Sequence, residues 1–241
     1  MMTKLRHSEQ EHNRTQSSSN VDDRTEHEIY AAPFLRSVMA GVAAVMCSYN
    51  LVDGIYACEN NNTLSGILKS EFGFQGFIMS DWGATASTIS AITGLDMTMP
   101  GDITFDSGTS YFGANLTAYV QNGTIPEARV DDMATRILAA WYFLGQDSPS
   151  YPHTNFNAFK PLDEATNEHI DVQDDHDILV REIGAASIVL LKNVDGALPL
   201  GKLRKLVLIG SDAGPAHVAG PNEFADQGGI DGILAMGWGS G

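Results

Sequence analysis

The sequence Gly73-Phe74-Gln75-Gly76-Phe77-Ile78-Met79-Ser80-Asp81-Trp82-Gly83 decides the fold of this chain. The apolar run Phe77–Met79 predicts a short buried strand that ends at a carboxylate next to an indole. Catalytic side chains collect at the carboxyl ends of the parallel strands in a (β/α)₈ barrel. Asp81 has two interpretations of equal weight from position alone: a helix N-cap, or a catalytic carboxylate.

Strands and helices alternate on both sides of this stretch. The small apolar run Val42–Met46 predicts a second strand buried on both faces, and Leu95–Met99 predicts a third. Helices are predicted at Asp22–Ser37 (with Asp22 or Asp23 as N-cap), Thr63–Phe72, Ala84–Thr93, Asn115–Asn122 and Val130–Phe143, with a loop between Asn50 and Asn62. This is the pattern of βα units in an α/β fold. Three strands cannot close an eight-stranded barrel, so we expect the rear part of a (β/α)₈ TIM-type barrel whose first strands are absent.

The chain divides into four predicted regions. Residues 1–20 are polar and predict a disordered or aberrant lead-in, and residues 21–145 the C-terminal part of the barrel. Residues 146–172 lack periodicity and predict a linker. Residues 173–241, with a helix from Asp174 to Leu191 and a strand at Lys205–Ile209, predict the start of an α/β sandwich domain.

Composition limits the classes of partner. The 241 residues carry 14 Lys and Arg against 30 Asp and Glu, a net charge of −16. This excess argues against nucleic acid and anionic membranes as partners and suits a neutral substrate such as a sugar. No apolar run approaches the roughly 18 residues of a membrane span. The His and Cys residues show no metal-ligand spacing, so we expect no metal and no cofactor.

Several features are typical of secreted proteins. Met1–Asn20 has no hydrophobic core and therefore predicts no signal peptide in this chain. Four glycosylation sequons nevertheless occur, at Asn13, Asn61, Asn115 and Asn122. Cys47 and Cys58 either form a disulfide or remain two reduced thiols, with equal weight. Together these features predict a secreted parent protein whose beginning this chain has lost.

Further segments resemble the fungal β-glucosidases of glycoside hydrolase family 3, from about Ser8 to the last residue. Besides the Asp81 stretch, the matching segments are Val45-Met46-Cys47-Ser48-Tyr49-Asn50, Gly94–Asp102, Arg129–Met133, Arg181–Ala186, Val189–Asn193, Gly196–Leu200 and Leu234–Gly241. The resemblance implies the retaining hydrolysis of terminal β-D-glucosyl residues, as in the breakdown of cello-oligosaccharides from cellulose.

The resemblance also implies roles for individual residues. Asp81 corresponds to the nucleophile, and Trp82 to a wall of the glucose subsite. Met46 and Tyr49 match positions that line the pocket, with the Tyr49 hydroxyl placed to hydrogen-bond the nucleophile; from residue type alone Tyr49 is a core aromatic. Arg14 ends a segment, Glu9–Arg14, that resembles a sugar-hydroxyl-binding region.

Other carboxylates are given structural roles. Asp96 is expected to tie down a strand end, and Glu59 to be a solvated loop residue. In the family the acid/base is a Glu of the second domain, beyond the end of this chain. We expect the isolated chain to be poorly stable because the first barrel strands are missing, and inactive on β-glucosides because the acid/base is missing. The alternative to a glycosidase is a non-catalytic truncated remnant or a carbohydrate-binding fragment.

Overall fold

The structure is a computed structural model that describes residues 14–104, 107–156 and 163–209. They belong to two units, which divide between Tyr151 and Pro152. This division lies inside the predicted linker 146–172, and the four predicted domain boundaries themselves remain predictions. Asn13 and the Leu234–Gly241 segment lie outside the described residues.

A pair of parallel strands forms the centre of the first unit. Strand β2 (Ala44–Cys47) pairs with β5 (Phe77–Ser80), in a register that places Val45 beside Ile78. A π-helix, Asn62–Glu71, lies between them in sequence. The two predicted strands and the predicted helix are thus confirmed, and they form a strand–helix–strand unit of the α/β class.

The third predicted strand is only an extended segment. One isolated bridge, Met79 with Met97, joins it to β5, and the Ser80 amide donates to the Met97 carbonyl at 2.9 Å. The Ile78 amide donates instead to Oδ2 of Asp96, at 2.7 Å. Because a side chain occupies this acceptor position, the backbone ladder does not extend into a regular strand.

The described residues of the predicted lead-in, 14–20, include a short strand. Strand β1 (Ser18–Ser19) pairs in parallel with β3 (Leu51–Val52), which forms a hairpin with β4 (Ile55–Tyr56). Its polar residues find partners there: Ser19 Oγ accepts from the Asn50 side chain at 3.1 Å. The segment predicted as a loop therefore contains this hairpin.

The first helical region agrees closely with the predicted helix Asp22–Ser37. It comprises α1 (Asp23–Thr25), a π-helical segment (Glu26–Ala31) and α2 (Ala32–Met39). The Asp22 carboxylate accepts from the Thr25 amide at 3.1 Å, so Asp22 is the predicted N-cap.

The prediction of a helix at Ala84–Thr93 is largely wrong, because only α3 (Ser90–Thr93) is helical. The preceding residues make side-chain hydrogen bonds: Ser87 Oγ donates to Glu59 at 2.6 Å, and the Thr85 and Thr98 hydroxyls lie 2.7 Å apart. Ser and Thr side chains that bond in this way compete with helix formation.

Two longer helices complete the first unit. They are α4 (Ala114–Gln121) and α5 (Glu127–Phe143). At the end of α5, Gly145 has φ of 68° and the Gln146 amide donates to the Trp141 carbonyl at 3.1 Å. A left-handed glycine with this bond is a common helix stop, as the sequence predicts.

The core of this unit lies on one face of the β2–β5 pair. Its buried members come from both strands and from the helices in contact with them: Phe34, Val45, Cys47, Cys58, Leu64, Leu68, Phe74, Ile78 and Leu95. A second cluster joins α3, α4 and α5 through Ala91, Leu116, Ile125 and Met133. Successive strand residues face opposite sides, so Met46 and Met79 face away from the main core.

The second unit contains less regular structure than the sequence predicts. Its helix, α6, covers His176–Ala186 and ends before the predicted Leu191. The predicted strand Lys205–Ile209 has no ladder and is exposed. A strand needs a hydrogen-bonding neighbour, and the described residues 163–209 provide none.

In the described parts of the chain, no helix combines the length and apolar character needed to span a membrane.

Candidate active site

Asp81 lies directly after β5, and its side chain is buried against neighbouring groups. The residue is only 8% exposed. Its backbone amide donates to the Cys47 carbonyl at 3.2 Å, which links it to the end of β2. Its carboxylate Oδ1 accepts from the Trp82 amide at 2.8 Å. The end of the parallel pair thus fixes both the backbone and the carboxylate of Asp81.

The helix-cap interpretation of Asp81 does not hold. Helix α3 begins only at Ser90, and its N-cap position is Ile89. The Asp81 carbonyl accepts from the Ala84 amide at 3.0 Å in a turn that no helix follows. Its carboxylate is therefore available for a role other than capping.

Tyr49 is the side chain that contacts the Asp81 carboxylate. Burial raises the pKa of the Tyr49 phenol to about 12, with further contributions from the negative charge of Asp81 and from a hydrogen bond to it. A phenol with this pKa keeps its proton at neutral pH. Tyr49 is therefore a hydrogen-bond donor to Asp81, which is more than a core aromatic.

Arg14 lies over the ring of Tyr49. Its guanidinium carbon is 4.4 Å from the centroid of the Tyr49 ring, a cation–π distance. Its positive charge opposes the rise in the Tyr49 pKa that burial and Asp81 cause. Arg14 thus contacts Tyr49, and Tyr49 in turn bonds to Asp81. Arg14 and Asp81 are 67 positions apart in the chain.

Met46 and Trp82 complete the predicted set. Met46 is buried at 4% exposure and pairs in register with Met79. Since side chains two residues apart share a face, Met79 and Asp81 lie on the same face as Met46. Trp82 is 38% exposed beside Asp81. An exposed indole next to a carboxylate provides an apolar surface of the kind that packs against a sugar ring.

The two cysteines are joined in the structure. Cys47 and Cys58 form a disulfide with a Cα–Cα distance of 5.2 Å. Cys47 is the last residue of β2, and its carbonyl accepts from the Asp81 amide, so the disulfide closes the hairpin segment directly beside the site.

Two carboxylates outside the predicted site, Asp96 and Glu59, make structural contacts. Asp96 accepts from Lys69 Nζ and Arg129 Nη2, each at 2.7 Å, and ties β5 down as its predicted structural role requires. Glu59 is not a solvated loop residue: it is half-buried and accepts from Ser87 and Ser90 at 2.6 and 2.8 Å. These contacts join positions far apart in the sequence, and no local motif indicates them.

The glycosylation sequons within the described residues are accessible. Asn61, Asn115 and Asn122 are all exposed. Asn122 lies at the end of α4, where its side-chain oxygen accepts from the Thr124 amide at 2.9 Å. The remaining sequon residue, Asn13, lies outside the described residues.

Among the described residues, no group of three or more His, Cys, Asp and Glu side chains is arranged to hold a metal ion. Cavities of about 380, 400 and 460 Å³ occur in the first unit, and neither Asp81 nor Tyr49 lines any of them. The candidate site is thus defined by its hydrogen bonds and strand register.

A buried carboxylate at the end of a parallel strand lies where barrel enzymes carry catalytic residues, and carboxylates are the catalytic groups of most glycosidases. Comparison with known families gives the same class. The model of the glycosyl hydrolase family 3 N-terminal domain matches residues 6–140. The chain belongs to glycosyl hydrolase family 3.

Named relatives lie within this family. Probable β-glucosidase A of Aspergillus flavus is 54% identical over an alignment that covers 93% of this chain and 27% of the relative. β-Glucosidase 1 of Aspergillus aculeatus is 52% identical with the same coverage. The chain therefore spans about a quarter of the length of these relatives.

Solved structures similar to this chain are also those of β-glucosidases. A β-glucosidase from Chaetomella raphigera superposes with a TM-score of 0.77 at 46% identity, covering 95% of this chain and 31% of that structure. A family 3 β-glucosidase from Neurospora crassa gives a TM-score of 0.77 at 48% identity, covering 93% of this chain and 28% of that structure.

Proposed function

We propose that this chain is the nucleophile-bearing part of a β-glucosidase, a retaining hydrolase of terminal non-reducing β-D-glucosyl residues. Asp81 supports the proposal most strongly, because it ends a buried parallel strand, accepts hydrogen bonds and lies inside the segment that matches family 3. The substrate class is a β-glucoside or cello-oligosaccharide, and the biological setting is the breakdown of cellulose.

The chemistry assigned to Asp81 is attack on the anomeric carbon of the terminal glucose. A covalent glycosyl-enzyme forms, the aglycone oxygen leaves with a proton from a general acid, and water then releases glucose. The hydrogen bond from Tyr49 orients the carboxylate and stays in place at neutral pH because of the high phenol pKa. The general acid is assigned to a residue outside this chain.

The remaining residues are assigned to glucose binding. Trp82 packs against one face of the sugar, and Met46 forms apolar pocket lining on the same strand face as Asp81. Arg14 uses its guanidinium donors for sugar hydroxyls while its plane rests on Tyr49. The burial and contacts of these residues, and the resemblance of the matching segments, support these assignments.

The proposal extends to architecture and location. The first unit is assigned to the rear part of a (β/α)₈ TIM-type barrel, and the second to the start of an α/β sandwich. The parallel β2–β5 pair and the similar β-glucosidase structures support the first assignment. The disulfide and the exposed Asn61, Asn115 and Asn122 support a secreted, glycosylated parent protein.

A chimera tests the function. Residues 14–145 replace the matching segment of the Aspergillus flavus relative, and turnover of an aryl β-glucoside is measured. We expect turnover, and we expect Asp81→Asn to reduce it by about 10⁴-fold or more, as loss of a catalytic nucleophile does. Glucose binding by calorimetry without any turnover would instead favour the carbohydrate-binding alternative.

A further inference from the structure

One buried carboxylate and two partly buried cations meet beside β5. The side chain of Asp96 is 0% exposed, and those of Lys69 and Arg129 are 9% and 15% exposed. Both cations donate to the same oxygen, Oδ1 of Asp96, at 2.7 Å each. Buried charges persist only when their partners are well placed, so this geometry is tightly constrained. Lys69, Asp96 and Arg129 are called the Asp96 cluster below.

The Asp96 cluster fixes β5 and the turn that follows α3. The second oxygen of Asp96 accepts from the backbone amide of Ile78 at 2.7 Å. Arg129 donates to the carbonyls of Ala91 and Leu95, at 2.7 and 3.0 Å. Lys69 donates to the Gly94 carbonyl at 2.8 Å. One carboxylate therefore joins the middle of β5 to the extended segment beside it.

A second contact from α5 holds the beginning of β5. Arg136 donates to the carbonyls of Phe74 and Gly76, at 2.8 and 3.1 Å. Arg129 and Arg136 both pair with Asp132, at 2.7 and 2.9 Å. These three charged residues lie on one face of α5 because their spacing follows the helical repeat. Helix α5 therefore contacts β5 both before the strand and, through Asp96, at its middle.

We propose that Asp96 and Arg129 are positioning residues for Asp81: they fix the place of β5 along its own axis and so set where its terminal carboxylate lies. Ile78 precedes Asp81 by three residues, about 10 Å along a strand. A shift of about 1 Å at a reacting group can cost about 10²-fold in rate. The inference rests on the proposed function of Asp81 and adds residues that do not contact the substrate.

The test uses the Tyr49 titration as a reporter of Asp81 position. The 241-residue chain is titrated by phenolate absorbance, and the Tyr49 step is identified by its loss in Tyr49→Phe. The test variant is Asp96→Asn, whose amide has the carboxylate's shape but cannot both accept from Ile78 and pair with two cations. We expect the Tyr49 pKa to fall below the wild-type value, because displacement of Asp81 weakens its hydrogen bond and its charge interaction with Tyr49.

Two controls separate positioning from stability. Asp131→Asn removes an exposed charge from α5 but leaves Arg129 and the Asp96–Ile78 bond in place, and Met133→Ala removes buried volume from the second cluster. Both should leave the Tyr49 titration at its wild-type pH. If Asp96→Asn does not unfold cooperatively, Arg129→Lys takes its place, since it keeps the charge and loses the guanidinium fork.

A folded Asp96→Asn or Arg129→Lys protein with an unchanged Tyr49 titration would overturn the inference. So would an equal fall in pKa in the Met133→Ala control. The readout needs no substrate, so it stays informative if Asp81 proves not to be a nucleophile. Failure of positioning and failure of the proposed function are therefore distinguishable.

Discussion

Replacement of Asp81 by Asn should lower the pKa of Tyr49 without returning it to the ordinary value. Burial is the largest cause of the rise from 10.0 to about 12, and the charge of Asp81 and its hydrogen bond come next. An amide removes the charge and weakens the bond, but it leaves the burial unchanged. The Tyr49 pKa in Asp81→Asn should therefore lie between these two values.

The size of the effect is largest near pH 11. At this pH a phenol with a pKa of about 12 is about one-tenth ionised, and Tyr49 in Asp81→Asn should be ionised more than this but less than the nine-tenths of a phenol with a pKa of about 10. The assay is the absorbance of phenolate near 295 nm, with Tyr49→Phe subtracted to isolate one of the seven tyrosines. Far-UV circular dichroism at the same pH verifies that the chain is folded.

The free energy of unfolding should depend on pH through the same Tyr49 titration. The pKa of Tyr49 is higher in the folded state than in the unfolded state, so the folded state holds more protons between about pH 10 and 12. This contribution is complete below pH 10 and is lost as the pH rises to 12. Two pKa units correspond to about 2.7 kcal/mol, and because Tyr49 is only partly buried, solvent screening makes its contribution to stability smaller than this. An Asp81→Asn variant with the wild-type Tyr49 titration would refute the reasoning.

Three further predictions concern the free energy of unfolding, which is measured by urea denaturation in each case. Loss of the disulfide in Cys47→Ser should lower the free energy of unfolding by about 3 kcal/mol, because the bridge closes a loop of sequence separation 11; no change would contradict it. Leu68→Ala, in the main core, should cost about 2–5 kcal/mol, whereas Met39→Ala, at an exposed site, should cost little; equal costs would contradict the core assignment. Burial lowers the Lys69 pKa from 10.5 to about 8, so between these pH values the unfolded chain holds more protons than the folded chain. The free energy of unfolding should therefore rise with pH between about 8 and 10.5, and this rise should be absent in Lys69→Met. A rise of the same size in Lys69→Met would contradict the prediction.

The strands near the site were predictable because their signal is local and strong. Val42–Met46 and Phe77–Ser80 are short apolar runs between turn residues, and they form the parallel pair. The hairpin after β2, in the segment predicted as a loop, also has a local signal. Asp53-Gly54 is a favoured two-residue turn, and both residues have positive φ, at 50° and 80°.

Other features depend on contacts that no local pattern contains. Residues 14–20 are as polar as a disordered tail, but their side chains bond to the hairpin, as in Gly54 to Ser18 at 2.9 Å. Asp96 is expected from the sequence to tie down a strand end, whereas its partners Lys69 and Arg129 come from two distant helices. Lys205–Ile209 has the composition of a strand, but a strand also needs a neighbour. Tertiary partners decide all three cases.

Covalent labelling of Asp81 tests the central claim most directly. The chimera described above is incubated with an activated 2-fluoro-glucoside whose dinitrophenolate leaving group needs no general acid, and the labelled peptides are identified by mass spectrometry. The account predicts a fluoroglucosyl group on Asp81, and no label at this position in Asp81→Asn. A label on a different carboxylate, or labelling that persists in Asp81→Asn, would contradict it.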